Sequence, residues 1–330
     1  MGGKRLSSAK LFYKLLDICQ VLLEEVSVAG GIADILYVRF RVPDLAQQAR
    51  FLEDFGFQVE QDGPRLVARG TDPSHYVYVA EQGAAGFLGL GFEALSQADL
   101  ERIASTDSAP ISEIDLPGGG VAARLTDPDG NQVDVVFGME RPEPLQCPSR
   151  PPFNFGEDHR RLGERVAFEP ADVKVKRLGH CVLTVQDYPT SLRWYQERLG
   201  LIVSDEIYAG EEGNVLGAFL RCDRGDTFVD HHTLFLLGAG SSGFNHAAFE
   251  VADWDQLMMG HDRLRKGGYE HRWGVGKHLL GSQVFDYWKD PNGFTMEHFT
   301  DGDLFNASSG SQRWPVDVAL GSHWGPEGAP

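Results

Sequence analysis

The chain has 330 residues, of which 42% are hydrophobic and 24% are charged, a composition typical of a globular protein rather than a disordered one. Its 48 acidic and 30 basic residues give a formal net charge of -18, which excludes nucleic acid as an expected partner because phosphate backbones would be repelled. The four cysteines are scattered and form no CxxC pair, which predicts a reducing, cytoplasmic location. The sequence has no apolar run of about 18 to 20 residues, which predicts no membrane partner.

Residues 1–33 are predicted to lie outside the first domain, as an N-terminal extension or a short surface helix. The stretch LLDICQVLLEEV has the apolar core of a signal peptide, but Asp17, Glu24 and Glu25 interrupt it. Its apolar residues instead follow the spacing of an amphipathic helix.

An internal repeat follows. The segment that begins at Ile35 predicts a strand, an amphipathic helix that begins near Asp44 and ends at Gly56, and a second strand. The segment that begins at Leu178 has the same pattern, and its helix ends at Gly200. Strand-rich stretches ending in GFLGLGFEA and GFNHAAFEV also align between the two halves.

A second pair of matching segments completes the repeat. LTDPDGNQVDVVFG (residues 125–138) and WKDPNGFTMEHF (residues 288–299) each predict a DPxG turn followed by a strand. In both, an acidic residue stands four positions after the glycine of the turn, Asp134 in the first and Glu297 in the second. Each half therefore contains the same series of elements.

These elements predict an α+β fold made of tandem βαβββ modules that form two barrel-like domains. The first domain covers residues 34–139, a linker that begins Pro-rich covers 140–176, and the second domain covers 177–303. The tail over residues 304–330 is rich in Gly, Ser and Pro. Either Trp314 and Trp324 anchor it to the body of the protein, or it is mobile.

Three positions that align between the modules differ in their chemistry. The first module has Tyr37, Gly89 and Asp134, whereas the second has His180, His246 and Glu297. Two imidazoles and one carboxylate are the ligand set of mononuclear Fe(II) oxygenases, which leaves about three coordination positions open. A structural zinc site would instead close with four protein ligands. A lone histidine is more often a core residue, so the prediction depends on the three converging.

Four more residues belong to the same region. His231 and His232 lie in VDHHTLFLL, where strand alternation predicts that one faces inward and the other outward. His278 lies in VGKHLLG, and Tyr287 precedes the second DPxG turn. Taken alone, the histidine pair is equally consistent with one surface and one core residue, and Tyr287 with an aromatic core residue.

The second half resembles the catalytic domain of type I extradiol ring-cleaving dioxygenases of the vicinal oxygen chelate superfamily, which includes 2,3-dihydroxybiphenyl and homoprotocatechuate dioxygenases. The run of His278, Tyr287, DPNG (residues 290–293) and Glu297 resembles that family's signature of His, Tyr, DPxG and Glu. The sequence departs from it at Asp286, where the family usually has an aliphatic or aromatic residue. The resemblance covers roughly residues 34–303.

The resemblance implies extradiol (meta) cleavage of a catechol-type ring with O2, in aromatic compound catabolism. It implies that His180, His246 and Glu297 hold Fe(II), although the ligand set also accepts Mn(II). His231 becomes the acid/base, chosen over His232 by strand register. His278 and Tyr287 become hydrogen-bonding partners of the substrate and of the oxygen-derived intermediate. We also expect a homo-oligomer, because exposed strand edges of such modules pair between chains.

Two other functions remain open. The first is another metal-dependent enzyme of this fold, such as a glyoxalase-like isomerase, which generally takes ligands from both modules, whereas Tyr37 and Gly89 stand at those positions here. The second is a non-catalytic binding protein for small molecules.

The substrate is also open. Arg272 and Lys277 would suit a catechol that carries a carboxylate. Trp273, Trp288 and Phe244 would suit a hydrophobic catechol.

Overall fold

The structure is a computed structural model and describes residues 31–147, 152–166, 172–326 and 328. The helix predicted from the stretch LLDICQVLLEEV therefore lies outside the described residues. In the described part of the chain, every helix is too short or too polar to cross a membrane.

The first module forms one eight-stranded sheet from two consecutive βαβββ units. The first unit consists of β1 (Ile32–Val42), α1 (Leu45–Phe55), β2 (Gln58–Asp62), β3 (Arg65–Arg69) and β4 (Tyr78–Gln82). The second consists of β5 (Gly86–Ala94), α2 (Gln97–Thr106), β6 (Ile111–Glu113), β7 (Val121–Thr126) and β8 (Gln132–Phe137). The strand order is β2-β3-β4-β1-β5-β8-β7-β6, so the units meet where β1 pairs antiparallel with β5.

The second module repeats this arrangement. Its first unit consists of β9 (Val175–Val185), α3 (Tyr188–Leu199), β10 (Ile202–Tyr208), β11 (Val215–Arg221), the short β12 (Val229–Asp230) and β13 (Leu234–Gly238). Its second unit consists of β14 (Gly243–Val251), α4 (Trp254–Gly267), β15 (Glu270–His278), β16 (Val284–Lys289) and β17 (Thr295–Thr300). The order β10-β11-β13-β9-β14-β17-β16-β15 matches that of the first sheet, strand for strand.

The predicted α+β fold with tandem modules is confirmed, but the number of helices in each module differs from the prediction. The sequence predicted one helix in each module, and the structure has two, because each module is itself a pair of βαβββ units. The helices that were not predicted are α2 and α4. Both begin at a capping side chain: Ser96 accepts a hydrogen bond from the Asp99 backbone, and Asp253 accepts one from Gln256.

The tail docks onto the second sheet. It contains β18 (Leu304–Phe305), β19 (Gln312–Pro315), the one-turn α5 (Val316–Ala319) and β20 (Ser322–Trp324). Strand β19 runs parallel to β10, and β20 pairs with β15, so the tail adds a strand at each edge of the sheet. Of the two alternatives for the tail, the structure therefore has the anchored one.

The two modules pack against each other through aromatic side chains. The ring of Phe40 in β1 lies 5.0 Å from that of Phe244 and 4.7 Å from that of Phe294, measured between centroids. Phe55 in α1 packs edge-on against Phe249 at 5.9 Å. Such contacts join the two sheets into one continuous apolar core.

Candidate active site

Three side chains converge from neighbouring strands at the centre of the second sheet. Ala248 in β14 pairs on one side with His180 in β9 and on the other with Glu297 in β17, so these residues form one row. His246 stands two positions before Ala248 and faces the same side of the sheet. The Nε2 atoms of His180 and His246 lie 3.4 and 3.3 Å from Oε2 of Glu297. The three potential ligand atoms all lie within 4.8 Å of one another.

The charge of Glu297 has no hydrogen-bond donor to balance it. The residue is fully buried, and neither carboxylate oxygen has a hydrogen-bond partner. Burial lowers the pKa of His246, which favours the neutral imidazole that a metal requires. A buried carboxylate without donors, facing two imidazole nitrogens, fits a divalent metal ion.

The aligned position in the first module shows the opposite arrangement. Asp134 accepts hydrogen bonds from Arg124, at 2.6 and 2.9 Å, and from the hydroxyl of Tyr37 at 3.0 Å. Its charge is therefore balanced by a guanidinium. Gly89, which aligns with His246, leaves no room for a ligand, because a Cβ atom there would lie 1.9 Å from the carbonyl oxygen of Gln132. The fold is repeated, but the metal-binding chemistry is not.

The structure reverses the predicted orientation of the histidine pair. His232, rather than His231, lines the cavity beside the three converging residues, and its ring centroid lies 4.1 Å from that of His180. The reason is that the chain bends between β12 and β13, so strand alternation does not apply there. Both histidines are buried. His231 lies behind His232, with 3.1 Å between their Nδ1 atoms.

A hydrogen-bonded chain supports His232 from behind. Nε2 of His231 lies 2.8 Å from Oδ2 of Asp205. The other oxygen, Oδ1, accepts a hydrogen bond from Nε1 of Trp314 at 3.1 Å. Sequence reasoning missed Asp205, because nothing local marks a strand aspartate as a partner of a histidine 26 residues later. Trp314 was predicted only as an anchor of the tail.

Tyr287 and His278 form another wall of the cavity. The hydroxyl of Tyr287 and Nε2 of His278 are 3.0 Å apart. Burial raises the pKa of Tyr287 well above its usual value. Burial lowers the pKa of His278 to about 4. At neutral pH the pair therefore consists of an intact phenol and a neutral imidazole, which share one hydrogen bond and can offer another to a bound molecule.

The cavity that these residues enclose is small and mostly apolar. Its volume is about 150 Å³. Besides the histidines and Tyr287, it is lined by Val182, Phe219, Phe235, Leu237, Asn245, Trp273, Leu280, Gln283, Ala319 and Leu320. None of these described lining residues is Lys or Arg. Ala319 and Leu320 come from the tail, which therefore covers the site.

The substrate-contact residues suggested by the sequence divide into two groups. Trp273 lines the cavity, whereas Trp288 and Phe244 do not. Lys277 forms an ion pair with Asp301 at 2.7 Å, outside the cavity. Arg272 lines a separate surface depression. Neither basic side chain lies where it would meet a molecule bound beside Glu297.

The chain is similar to known proteins over most of its length. Residues 177–298 match the Glyoxalase/Bleomycin resistance protein/Dioxygenase superfamily. The chain is 30% identical to metapyrocatechase 2 of Cupriavidus necator over 303 residues, which cover 90% of each protein. It is 26% identical over 212 residues to 1,2-dihydroxynaphthalene dioxygenase of Sphingobium xenophagum, covering 60% of this chain and 65% of that one.

Solved structures share the fold. Homoprotocatechuate 2,3-dioxygenase of Brevibacterium fuscum, in complex with 3,4-dihydroxyphenylacetate, superposes with a TM-score of 0.75 at 20% identity, covering 92% of each chain. A Mn(II)-bound glyoxalase of Novosphingobium aromaticivorans superposes with a TM-score of 0.74 at 21% identity, covering 92% of this chain and 95% of that one. At these identities, the likeness concerns architecture alone.

Proposed function

Because the chain belongs to the extradiol dioxygenases of the Glyoxalase/Bleomycin resistance protein/Dioxygenase superfamily, we propose that it opens the ring of a small, uncharged catechol at a single Fe(II) ion in its second module. Extradiol cleavage of a catechol with O2, as part of aromatic catabolism, is the activity of its relatives metapyrocatechase 2, at 30% identity, and 3-methylcatechol 2,3-dioxygenase, at 25% identity. The observation that carries the proposal is the pair of buried, donor-free oxygens of Glu297 between two histidines.

His180, His246 and Glu297 would hold the metal. This set has two neutral ligands and one anionic ligand, and it suits Fe(II) or Mn(II). We favour iron because one relative, 29% identical over 155 residues, is the iron-dependent extradiol dioxygenase of Rhodococcus jostii. When bound, the ion supplies Lewis acidity that eases deprotonation of the catechol, and redox chemistry with O2. Asn245 supports the ligand set, because its Oδ1 lies 2.8 Å from Nδ1 of His246 and fixes which ring nitrogen faces Glu297.

His232 is the acid/base in this proposal, in place of His231. When the His231 ring is neutral, its Nε2–H donates to Asp205 and its Nδ1 is an acceptor. Nδ1–H of His232 then donates to it, so Nε2 of His232 carries a lone pair. A substrate hydroxyl can lose its proton to this Nε2, and the same atom returns the proton later in the reaction.

The pair of Tyr287 and His278 would position the substrate and donate one hydrogen bond to an oxygen atom that becomes negatively charged. Their intact phenol and neutral imidazole add no charge of their own to the cavity. The mostly apolar walls lower the local dielectric constant, which strengthens this hydrogen bond.

The size and charge of the cavity favour a single-ring substrate without a carboxylate. Ligand sites commonly measure about 300 to 1,000 Å³, and this one is about 150 Å³. A buried carboxylate without a cationic partner costs several kcal/mol, roughly, and the described lining offers no Lys or Arg. Catechol and its short alkyl derivatives meet both conditions.

The homo-oligomer and the cytoplasmic location stay predictions. The edge strand β6 is exposed along its whole length and offers one surface for pairing between chains. Light scattering on the purified protein would measure the number of chains.

An activity screen of the protein loaded anaerobically with Fe(II) tests the proposal. The panel would contain catechol, alkylcatechols, 2,3-dihydroxybiphenyl and carboxylated catechols, each followed by O2 uptake. We expect the highest kcat/KM for catechol and alkylcatechols. A preference for a carboxylated catechol would contradict the substrate class, and absence of O2 uptake with every catechol would contradict the activity.

A further inference from the structure

A second cluster of metal-ligand residues lies on the other face of β16. His261 in α4, His271 in β15 and Asp286 in β16 bring their ligand atoms within 4.8 Å of one another. Asp286 precedes Tyr287, so strand alternation points its side chain away from the cavity. It is also the position at which the sequence departs from the extradiol signature. We propose that His261, His271 and Asp286 bind a second divalent metal ion of the Zn²⁺ class, independent of the catalytic iron.

The carboxylate of Asp286 is the centre of this cluster. It is fully buried, and the ion-pair partners that the described chain gives it are the two histidines rather than a Lys or Arg. Nε2 of His271 lies 2.8 Å from Oδ1, and Nδ1 of His261 lies 3.1 Å from Oδ2. Two imidazoles and one carboxylate are ligands that zinc accepts.

The spacing requires little movement to admit an ion. Two ligands at about 2.1 Å from a tetrahedral metal stand about 3.4 Å apart. The distances from the histidine nitrogens to the carboxylate oxygens are 2.8 to 3.3 Å. Each of these nitrogen–oxygen pairs therefore needs to separate by about 0.1 to 0.6 Å. His261 and His271 have 20% and 34% of their side chains exposed, which leaves access for the ion and for water as a further ligand.

The surroundings resemble the outer shell of a metal site. Nε1 of Trp288 donates a hydrogen bond of 2.6 Å to Oδ2 of Asp286, which fixes the orientation of the carboxylate. The Trp288 ring also packs against both histidine rings, with centroid distances of 5.4 and 4.7 Å. The ion would clamp α4 onto β15 and β16, directly behind Tyr287.

Zinc rather than iron is expected here, because zinc binds such ligands more tightly than Fe(II). The alternative is that the two histidines only donate hydrogen bonds to Asp286 and that no metal ion binds. In that case the cluster is satisfied as it stands, and the affinity for added zinc would be negligible. The two possibilities differ in metal stoichiometry.

The test uses the full chain with the catalytic site disabled by His246→Ala, titrated with Zn²⁺ alone by calorimetry and equilibrium dialysis. We expect one equivalent to bind and to raise the melting temperature. His261→Gln and His271→Gln, added together, should abolish both effects while still allowing a hydrogen bond to Asp286. Asp286→Asn should do the same. His159→Gln, at an exposed histidine elsewhere, is the matched control and should leave the equivalent in place.

Two results would overturn the proposal. One is no zinc bound by the His246→Ala chain, and the other is an equivalent that survives both the double substitution and Asp286→Asn. Neither result bears on ring cleavage, which is measured with the catalytic site intact. Circular dichroism would verify that each variant is folded.

Discussion

Substituting His232 by phenylalanine should separate proton transfer from metal binding. The phenyl ring keeps most of the buried volume beside His180, so the three converging residues retain their packing. What is lost is the ring nitrogen that faces the cavity. Removing a positioned acid/base slows turnover by about 10²- to 10⁴-fold. At about 1.36 kcal/mol for each factor of ten, this equals roughly 3 to 5 kcal/mol of activation free energy.

His231→Phe, one residue away, should have a different and smaller effect on rate. It removes the acceptor for Nδ1–H of His232 and the donor to Oδ2 of Asp205, but leaves Nε2 of His232 in place. Loss of such a supporting group typically costs about 10- to 100-fold in activity. The unsatisfied oxygen of Asp205 should also lower the free energy of unfolding by about 1 to 3 kcal/mol.

The assay compares iron content, anaerobic catechol affinity and turnover in both variants. We expect iron content and catechol affinity near those of the unmodified protein, with turnover most reduced in His232→Phe. Loss of iron from His232→Phe would mean that His232 is a ligand. Normal turnover in His232→Phe together with an inactive His231→Phe would show that His231 is the acid/base. It would contradict the proposal that His231 only supports His232.

Three further predictions follow from other parts of the structure. Glu297→Gln should lose most bound iron and nearly all turnover, whereas Asp134→Asn should leave iron content unchanged; the opposite result by metal analysis would reverse the roles of the modules. Leu320→Ala should enlarge the cavity and raise kcat/KM for 2,3-dihydroxybiphenyl relative to catechol, and an unchanged ratio would remove the tail from substrate selection. Gly260→Ala lies within a helix, where alanine usually stabilises. Here its Cβ would lie 2.8 Å from the His298 ring, so calorimetry should show a loss of about 1 to 3 kcal/mol, and a gain would contradict the packing.

The internal repeat made the central residues predictable. Aligning the two halves singled out His180, His246 and Glu297. The structure brings these three residues together, because the two modules have the same strand order and aligned residues therefore lie on the same face of their sheet. The same alignment did not separate the four βαβββ units, since α4 lies between strands in a segment that was assigned strands alone.

The features that the sequence did not predict depend on contacts between distant parts of the chain. The orientation of His232 depends on a bend between β12 and β13, where strand alternation had been assumed and had pointed His231 inward. The cover formed by Ala319 and Leu320 depends on β19 pairing with β10, more than 100 residues earlier. From the sequence, Asp286 was visible only as a departure from the family signature. Its partnership with His261 and His271 was not, because these histidines come from a helix and a neighbouring strand.

Product analysis after a single turnover tests the central claim most directly. The Fe(II)-loaded protein would be mixed with catechol and O2, and the product identified by absorbance and mass spectrometry, with Glu297→Gln as control. The proposed site predicts a ring-opened product with one aldehyde and one carboxylate that contains both oxygen atoms of O2, and none from the control. A dicarboxylate product, an unopened ring, or equal product from Glu297→Gln would contradict extradiol cleavage at this site.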